Sequence, residues 1–341
     1  MNPTPAAAPE SFYVGGGYVT EPDGSHLLVG QMYVRRIGDG DLLPIVLVPG
    51  GAQTGAHWEL TPDGRPGLAP LLAGYGHPTY VVDLPGIGRS RYHPSHHGPL
   101  LHYTAELTEY LFTAPSEQVW PGAGLHTQWP GSGRRGDPTF EAFYAGQVGR
   151  LRDDRAAEQS ARSALSALLD RIGPCHVLTH SQAGPYGWHV ADARPDLIRS
   201  VVALEPKGPP YYEPRTEPVG EPPRPYGITT TPLTYHPPLA GAGGLPFTVG
   251  PDQVARQLTP ARTLSRLRAV PVLLITAEAS YHDTYDHLTV QFLRDAGVTV
   301  DHVRLGEHGI HGNGHLLALE LNNGDIAELI NRKLAAQHGP R

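Results

Sequence analysis

Apolar positions along the chain fall into short runs separated by turn residues and by stretches of helical spacing. Residues 11–37 alternate apolar and polar, in Phe12-Tyr13-Val14 and again from Leu27 to Val34, and predict two or three antiparallel strands. Denser apolar runs follow at Leu42–Val48, Thr79–Asp83, Val177–Thr179, Ser200–Leu204, Ala269–Thr276 and Val298–Leu305. Each is short, as a strand buried on both faces should be. Leu68–Gly74 fits a crossover helix, and apolar residues at 157, 161, 164, 165, 168 and 172 mark an amphipathic helix over Arg155–Ile172, closed by Gly173. Further helices are predicted near Pro185–Ala193, Leu288–Ala296 and Asp325–Ala336. Strands alternating with helices imply right-handed crossovers, so the fold class is α/β, with a mostly parallel central sheet flanked by helices.

Two stretches break this rhythm. Residues 94–150 are rich in His, Gly, Pro and aromatics, and residues 206–262 in Pro and Tyr. Loops of this length usually serve as lids or binding loops. Both are therefore assigned to a cap over the carboxyl edge of the sheet, where open α/β sheets bind ligands. The core then comprises 12–93, 151–205 and 263–336. Disordered linkers are the alternative, opposed by Trp120, Trp129, Phe140, Phe143, Tyr211, Tyr226 and Tyr235, since disordered tracts are poor in such residues.

Composition narrows the function classes. A net charge of −7 with 26 Lys+Arg and no basic cluster argues against a nucleic-acid partner. No apolar run approaches the ~18–20 residues of a membrane span. Met1–Glu10 lacks a basic region followed by an apolar core, so no signal peptide is in view. The expected location is cytoplasmic, with a secreted or periplasmic one open for a trimmed chain. Cys175 is alone, which forbids an intrachain disulfide and a Cys-based zinc cluster, and it reads as a buried, inert thiol. Two histidine groups have spacings a metal could use: His93, His96 and His97, and His308, His311 and His315. Gly309, Gly312 and Gly314 break any helix that would align the second group, and no metal is expected.

The chemistry centres on Val177-Leu178-Thr179-His180-Ser181-Gln182-Ala183-Gly184. A strand that runs through a serine on a sharp turn into a helix lifts the hydroxyl above the sheet edge. The usual form is G-x-S-x-G; here Thr179 and Ala183 hold the glycine places and Gly184 comes one step later. A serine that only caps the helix from Gln182 onward is the alternative. A nucleophilic serine needs a base, an orienting acid and an oxyanion hole. His315, in Gly312-Asn313-Gly314-His315 after the last strand, is the preferred base. His308 and His311 could line the pocket, and His311, Tyr211 and Tyr235 are taken as its candidates. For the acid, Glu278, Asp283 and Asp286 after one strand stand level with Glu205, which closes the strand after the elbow helix. Gln182 and Gly51 are the expected oxyanion donors through their backbone N–H groups, with Ala52 second to Gly51. Asp83 to Ser90 reads as a structural turn.

At these residues the chain resembles the esterase 713-like branch of the α/β-hydrolases. The likeness is carried by Val48-Pro49-Gly50-Gly51-Ala52-Gln53-Thr54-Gly55, Trp58-Glu59, Thr61-Pro62-Asp63-Gly64-Arg65, Asp83 to Ser90, His180-Ser181-Gln182, Leu204-Glu205-Pro206 and Gly312-Asn313-Gly314-His315, and it spans about residues 12–336. In that branch the acid is a glutamate 24 positions after the serine, which selects Glu205. Adjacent cysteines at the oxyanion loop of the branch are Gly51 and Ala52 here, and the second cap segment is longer. The combined expectation is a serine hydrolase of carboxylic esters or lactones: Ser181 attacks, His315 carries the proton, and Glu205 orients His315. No cofactor is expected; the partner is a small-molecule ester, with a homodimer left open. The same triad cleaving an amide or a C–C bond is one alternative. A non-catalytic binding module on the same scaffold is the other. Activity should rise with pH through an ordinary histidine ionisation, between about pH 5 and 8.

Overall fold

The computed structural model describes residues 10–214, 222–241 and 243–336. Its central sheet has eight strands: β1 Ser11–Thr20, β2 His26–Ile37, β3 Ile45–Val48, β4 Thr79–Asp83, β5 Cys175–His180, β6 Ile198–Leu204, β7 Val272–Thr276 and β8 Val300–Arg304. They lie in the order β1-β2-β4-β3-β5-β6-β7-β8. β2 pairs antiparallel with β1 and with β4, and every other pairing is parallel. The alternating segment 11–37 thus forms two long strands rather than three. β3 and β7 start later than their apolar runs suggest, after Pro44 and Pro271, whose nitrogens have no proton to give a ladder.

Period-two alternation sends each strand into both faces. Val46 and Val48 enter one core layer, with Val177, Val201 and Val272, under helices α2 (Asp154–Ile172) and α3 (Gly184–Ala193). Ile45 and Leu47 enter the opposite layer, with Leu178, Leu204 and Ile275, under α1 (Leu68–Gly74) and α5 (Asn323–Ala336). Helix α4 (Asp286–Asp295) joins β7 to β8 and packs Phe292 and Leu293 into the first layer. Asp153 caps α2 by accepting from the N–H groups of Arg155 and Ala156.

Seven aromatics of the two long insertions are buried: Trp120, Trp129, Phe140, Phe143, Tyr211, Tyr226 and Tyr235. The first insertion folds a helix over Pro138–Ala145, and the Trp120 indole N–H donates to Ala279 O beyond β7. The second packs Tyr211 against Phe247 and Phe292 beside α4. Asp83 acts as the structural turn expected of it, accepting from the Gly55 and Arg89 N–H groups and from the Arg89 guanidinium. Among the described residues no helix is long and apolar enough to cross a membrane.

Candidate active site

Four parallel strands deliver their carboxyl ends to one place. His180 lies opposite Leu204 in the β5–β6 register, so the next residues, Ser181 and Glu205, emerge side by side. Both have positive φ, +52° and +43°, in the region that non-glycine residues rarely occupy. Such strain persists where the surroundings over-determine the backbone; here the fully buried β5 and the buried carboxyl half of β6 do so. The shifted glycine of the elbow also has a physical reason. A Cβ on residue 184 would lie 2.5 Å from Pro206 Cβ, so glycine is needed where α3 begins beside the end of β6. Ala183 is buried with its methyl group accommodated.

Glu205 is fully buried and saturated with donors. One carboxylate oxygen accepts from the Ala277 N–H at 2.8 Å. The other accepts from the Ser280 hydroxyl at 2.7 Å and lies 2.6 Å from His315 Nδ1. Burial, with Asp286 nearby, pushes the Glu205 carboxyl upward, and the Ala277 and Ser280 donors act against that. His315 is 2% exposed. Burial holds it well below the ordinary histidine range, and the neighbouring His282 and His180 rings act in the same direction. Its imidazole is therefore neutral at neutral pH, as a base must be. The ring stacks parallel on His282 at 4.7 Å and lies 5.3 Å from Phe112.

The loop carrying His315 is braced from two sides. Buried Glu320 accepts from the Gly314 N–H and the Asn313 amide, with His126 Nε2 at 2.8 Å. Arg65, from the Thr61-Pro62-Asp63-Gly64-Arg65 turn, donates to the carbonyls of Leu319, Glu320 and Leu321.

Ser181 and His315 line a cavity of about 140 Å³ together with Gly51, Phe112, Phe143 and Leu316. No hydrogen bond joins the serine and imidazole side chains; contacts of this kind are commonly long in the free enzyme and tighten around substrate. A second cavity of about 380 Å³ also reaches Ser181, and is lined by Gln182, Tyr103, Arg150, Lys207, His282 and Tyr285 among others. The loop after β3 abuts the elbow. A Cβ on Gly51 would lie 3.4 Å from Gln182 Cβ, and one on Gly50 would lie 3.3 Å from Ser181 Cβ. Gly51 and Gln182 are thus brought together beside the serine. Ala52 has φ +60° and accepts from the Val148 N–H of the first insertion.

The three pocket candidates are not brought to the serine. Tyr211 and Tyr235 are buried in the layer beside α4, where an aromatic side chain gains most by excluding water, and Tyr235 donates to Tyr226 O. His311 is exposed and pairs with Glu278 at 3.1 Å. The other acid candidates are engaged elsewhere as well: Glu278 also accepts from the Gly312 N–H, Asp283 pairs with Arg304, and Asp286 holds His282. Tyr103, Arg150, Lys207, Tyr281, His282 and Tyr285 went unread in the sequence. The usable signal in the sequence is the polar string Ser280-Tyr281-His282 just beyond β7.

Among the described residues one group has metal-like proximity, Glu205, His282 and His315. The donor atoms of Glu205 and His282 are already engaged. His282 faces Asp286 with one ring nitrogen and the Tyr285 hydroxyl with the other, and Glu205 accepts three hydrogen bonds. A metal would have to displace all of these. Cys175 is buried, and its thiol is pushed up to about 12, which keeps it inert.

The model for the alpha/beta hydrolase fold matches residues 44–232 of this chain. The chain belongs to the α/β-hydrolase family. It is 43% identical over 326 residues to "Probable secreted lipase phiG" from Fungal sp. (strain ATCC 74256), covering 94% of this chain and 87% of that protein. Among solved structures it is similar to "The Atomic Resolution Structure of a Novel Bacterial Esterase", with a TM-score of 0.64, 21% identity, and coverage of 99% of this chain and 98% of that one. The second likeness bears on the fold alone, and the eight-strand order of this α/β-hydrolase agrees with it.

Proposed function

We propose that this α/β-hydrolase is a serine hydrolase of carboxylic esters or lactones, with Ser181 as nucleophile, His315 as base and Glu205 as the residue that orients His315. The observation that carries the reading is the 2.6 Å contact between Glu205 and a buried His315, beside a cavity-lining serine at positive φ. In the acylation step the Ser181 Oγ bonds to the ester carbon while its proton passes to His315 Nε2. The negative charge then on the carbonyl oxygen meets the backbone N–H groups of Gly51 and Gln182. Collapse breaks the carbon–oxygen bond to the alcohol, which leaves with the proton from His315. A water molecule, deprotonated by His315, releases the acid and restores the serine. The lipase name of the relative at 43% identity supports ester chemistry, and its secreted description favours an extracellular location over the cytoplasmic expectation. Segments 94–150 and 206–262 serve as the cap in this reading, supported by Tyr103, Arg150 and Lys207 on the cavity wall.

A fluorophosphonate probe should label the wild-type protein at Ser181, and Ser181→Ala should abolish both labelling and turnover of 4-nitrophenyl esters while the protein stays folded. Loss of such a group costs several orders of magnitude in kcat. A protein that neither labels nor turns over esters, lactones or amides would instead be a binding module on this scaffold.

A further inference from the structure

Two cations stand on the wall of the larger cavity and are incompletely neutralised. Lys207 is hydrogen-bonded through its backbone N–H to Ser181 O at 2.8 Å, which fixes it beside the nucleophile. Its ammonium reaches Asp154 at 2.6 Å. Arg150 pairs with the same carboxylate at 3.1 Å, and its Nε is buried with no hydrogen-bond partner. The Gln182 side chain also donates to Asp154, at 2.9 Å. One carboxylate therefore serves two cations and an amide. Among the described residues of this wall the other acid is Glu213, which holds the buried Arg224 guanidinium at 2.6 Å and lies 3.9 Å from the Lys207 ammonium. Among the described residues three cations (Lys207, Arg150 and Arg224) thus share two carboxylates, an excess of one positive charge close to the serine. Desolvated charge of this kind is costly unless a counter-charge arrives.

The smaller cavity differs. Its described wall has no Lys, Arg, Asp or Glu: Leu107, Leu111, Phe112, Phe143 and Leu316 stand there beside His315 and uncharged polar groups such as Gln53 and Gln147. His315 must hand its proton to the departing oxygen, so the leaving alcohol occupies the lobe that His315 lines. The acyl chain then extends into the larger lobe, toward Lys207 and Arg150. We propose that the acyl side of the substrate carries a carboxylate bound by Lys207 and Arg150, so that the enzyme acts on half-esters of dicarboxylic acids with an apolar alcohol. This rests on the serine-hydrolase reading for its orientation, and on the two cations for its chemistry.

The test uses the Ser181→Ala protein, which binds without turnover, and calorimetry with monophenyl glutarate and its neutral methyl ester. The half-ester should bind at least about tenfold more tightly, the worth of one good hydrogen bond between charged groups. In the same background Lys207→Met and Arg150→Met should each remove most of that preference. Lys207→Arg should keep it, and raising the salt should shrink it. Thermal melting of each variant checks that it is folded; if one is not, the other and the salt series decide. Equal affinity for the two esters, or a preference that survives both Met substitutions, overturns the inference. The two readings fail separately. A wild-type protein inert toward every ester, with the half-ester preference intact, sinks the hydrolase and leaves the anion subsite. An active esterase whose Ser181→Ala form binds both esters alike does the reverse.

Discussion

Replacing Glu205 by glutamine changes one oxygen to an NH2 and leaves the volume almost unaltered, so its effect isolates charge and hydrogen-bond direction. In the native structure the carboxylate accepts from Ala277 N–H, Ser280 Oγ and His315 Nδ1. The glutamine carbonyl can still accept from Ala277. The amide then faces His315 Nδ1 as a donor, at a place where the imidazole itself donates. The ring relieves that conflict by moving its proton to Nε2, the nitrogen that must be free to accept from Ser181. The wrong tautomer, together with loss of the negative charge opposite the imidazolium, costs about 10⁴-fold in kcat, or about 5.5 kcal/mol. Stability should change far less, because the packing is kept. The assay is kcat on a 4-nitrophenyl ester, with a melting curve on the same sample. As a control, Asp283→Asn removes only the partially exposed pair with Arg304 and should retain near-normal kcat. A folded Glu205→Gln protein with kcat within tenfold of wild type would falsify the assignment of the acid.

Four further outcomes are expected. The acid limb of the kcat/KM profile should have its midpoint below the ordinary histidine value of about 6.5, because burial lowers His315 and the neutral ring is the active form; a midpoint at or above that value contradicts the stated environment. Stability should follow the same sign, since His57 and His180 are lowered by burial to about 4 each. The unfolded chain binds those protons first, so stability present above pH 6.5 is lost as pH falls toward 4, by about 2 kcal/mol per ring at pH 5. Urea midpoints that rise on acidification would disprove this. Gly184→Ala should destabilise by about 1–3 kcal/mol and lower kcat, because the new methyl meets Pro206 at 2.5 Å; denaturant unfolding and turnover without loss would show that the elbow can yield. Arg65→Met strips the donors from three carbonyls of the loop after His315 and should cost roughly 3 kcal/mol, read from chemical denaturation.

Local sequence was enough for the central strands, the core helices and the candidate serine and histidine. Period-two and 3.6-residue spacings follow from backbone geometry, so β1 to β8 and α2 could be read within a few residues, prolines excepted. Ser181, Glu205 and His315 each stand at or after a strand's carboxyl end, a position that the α/β alternation itself supplies. The acid could not be settled from chemistry alone, since Glu205 and the group Glu278, Asp283 and Asp286 stood level as two sites; spacing in a resembling family pointed to Glu205, which lies 2.6 Å from His315 Nδ1. Side chains in the insertions were beyond local reading. Tyr211 and Tyr235 look like pocket aromatics in sequence, yet the packing of the second insertion on α4 turns them into core. Conversely Arg150 and Lys207, 57 positions apart, meet on Asp154 only because the end of the first insertion and the start of the second converge beside the elbow. Burial and charge pairing depend on which surfaces meet across the fold. That is a property of the tertiary arrangement, and no window of sequence contains it.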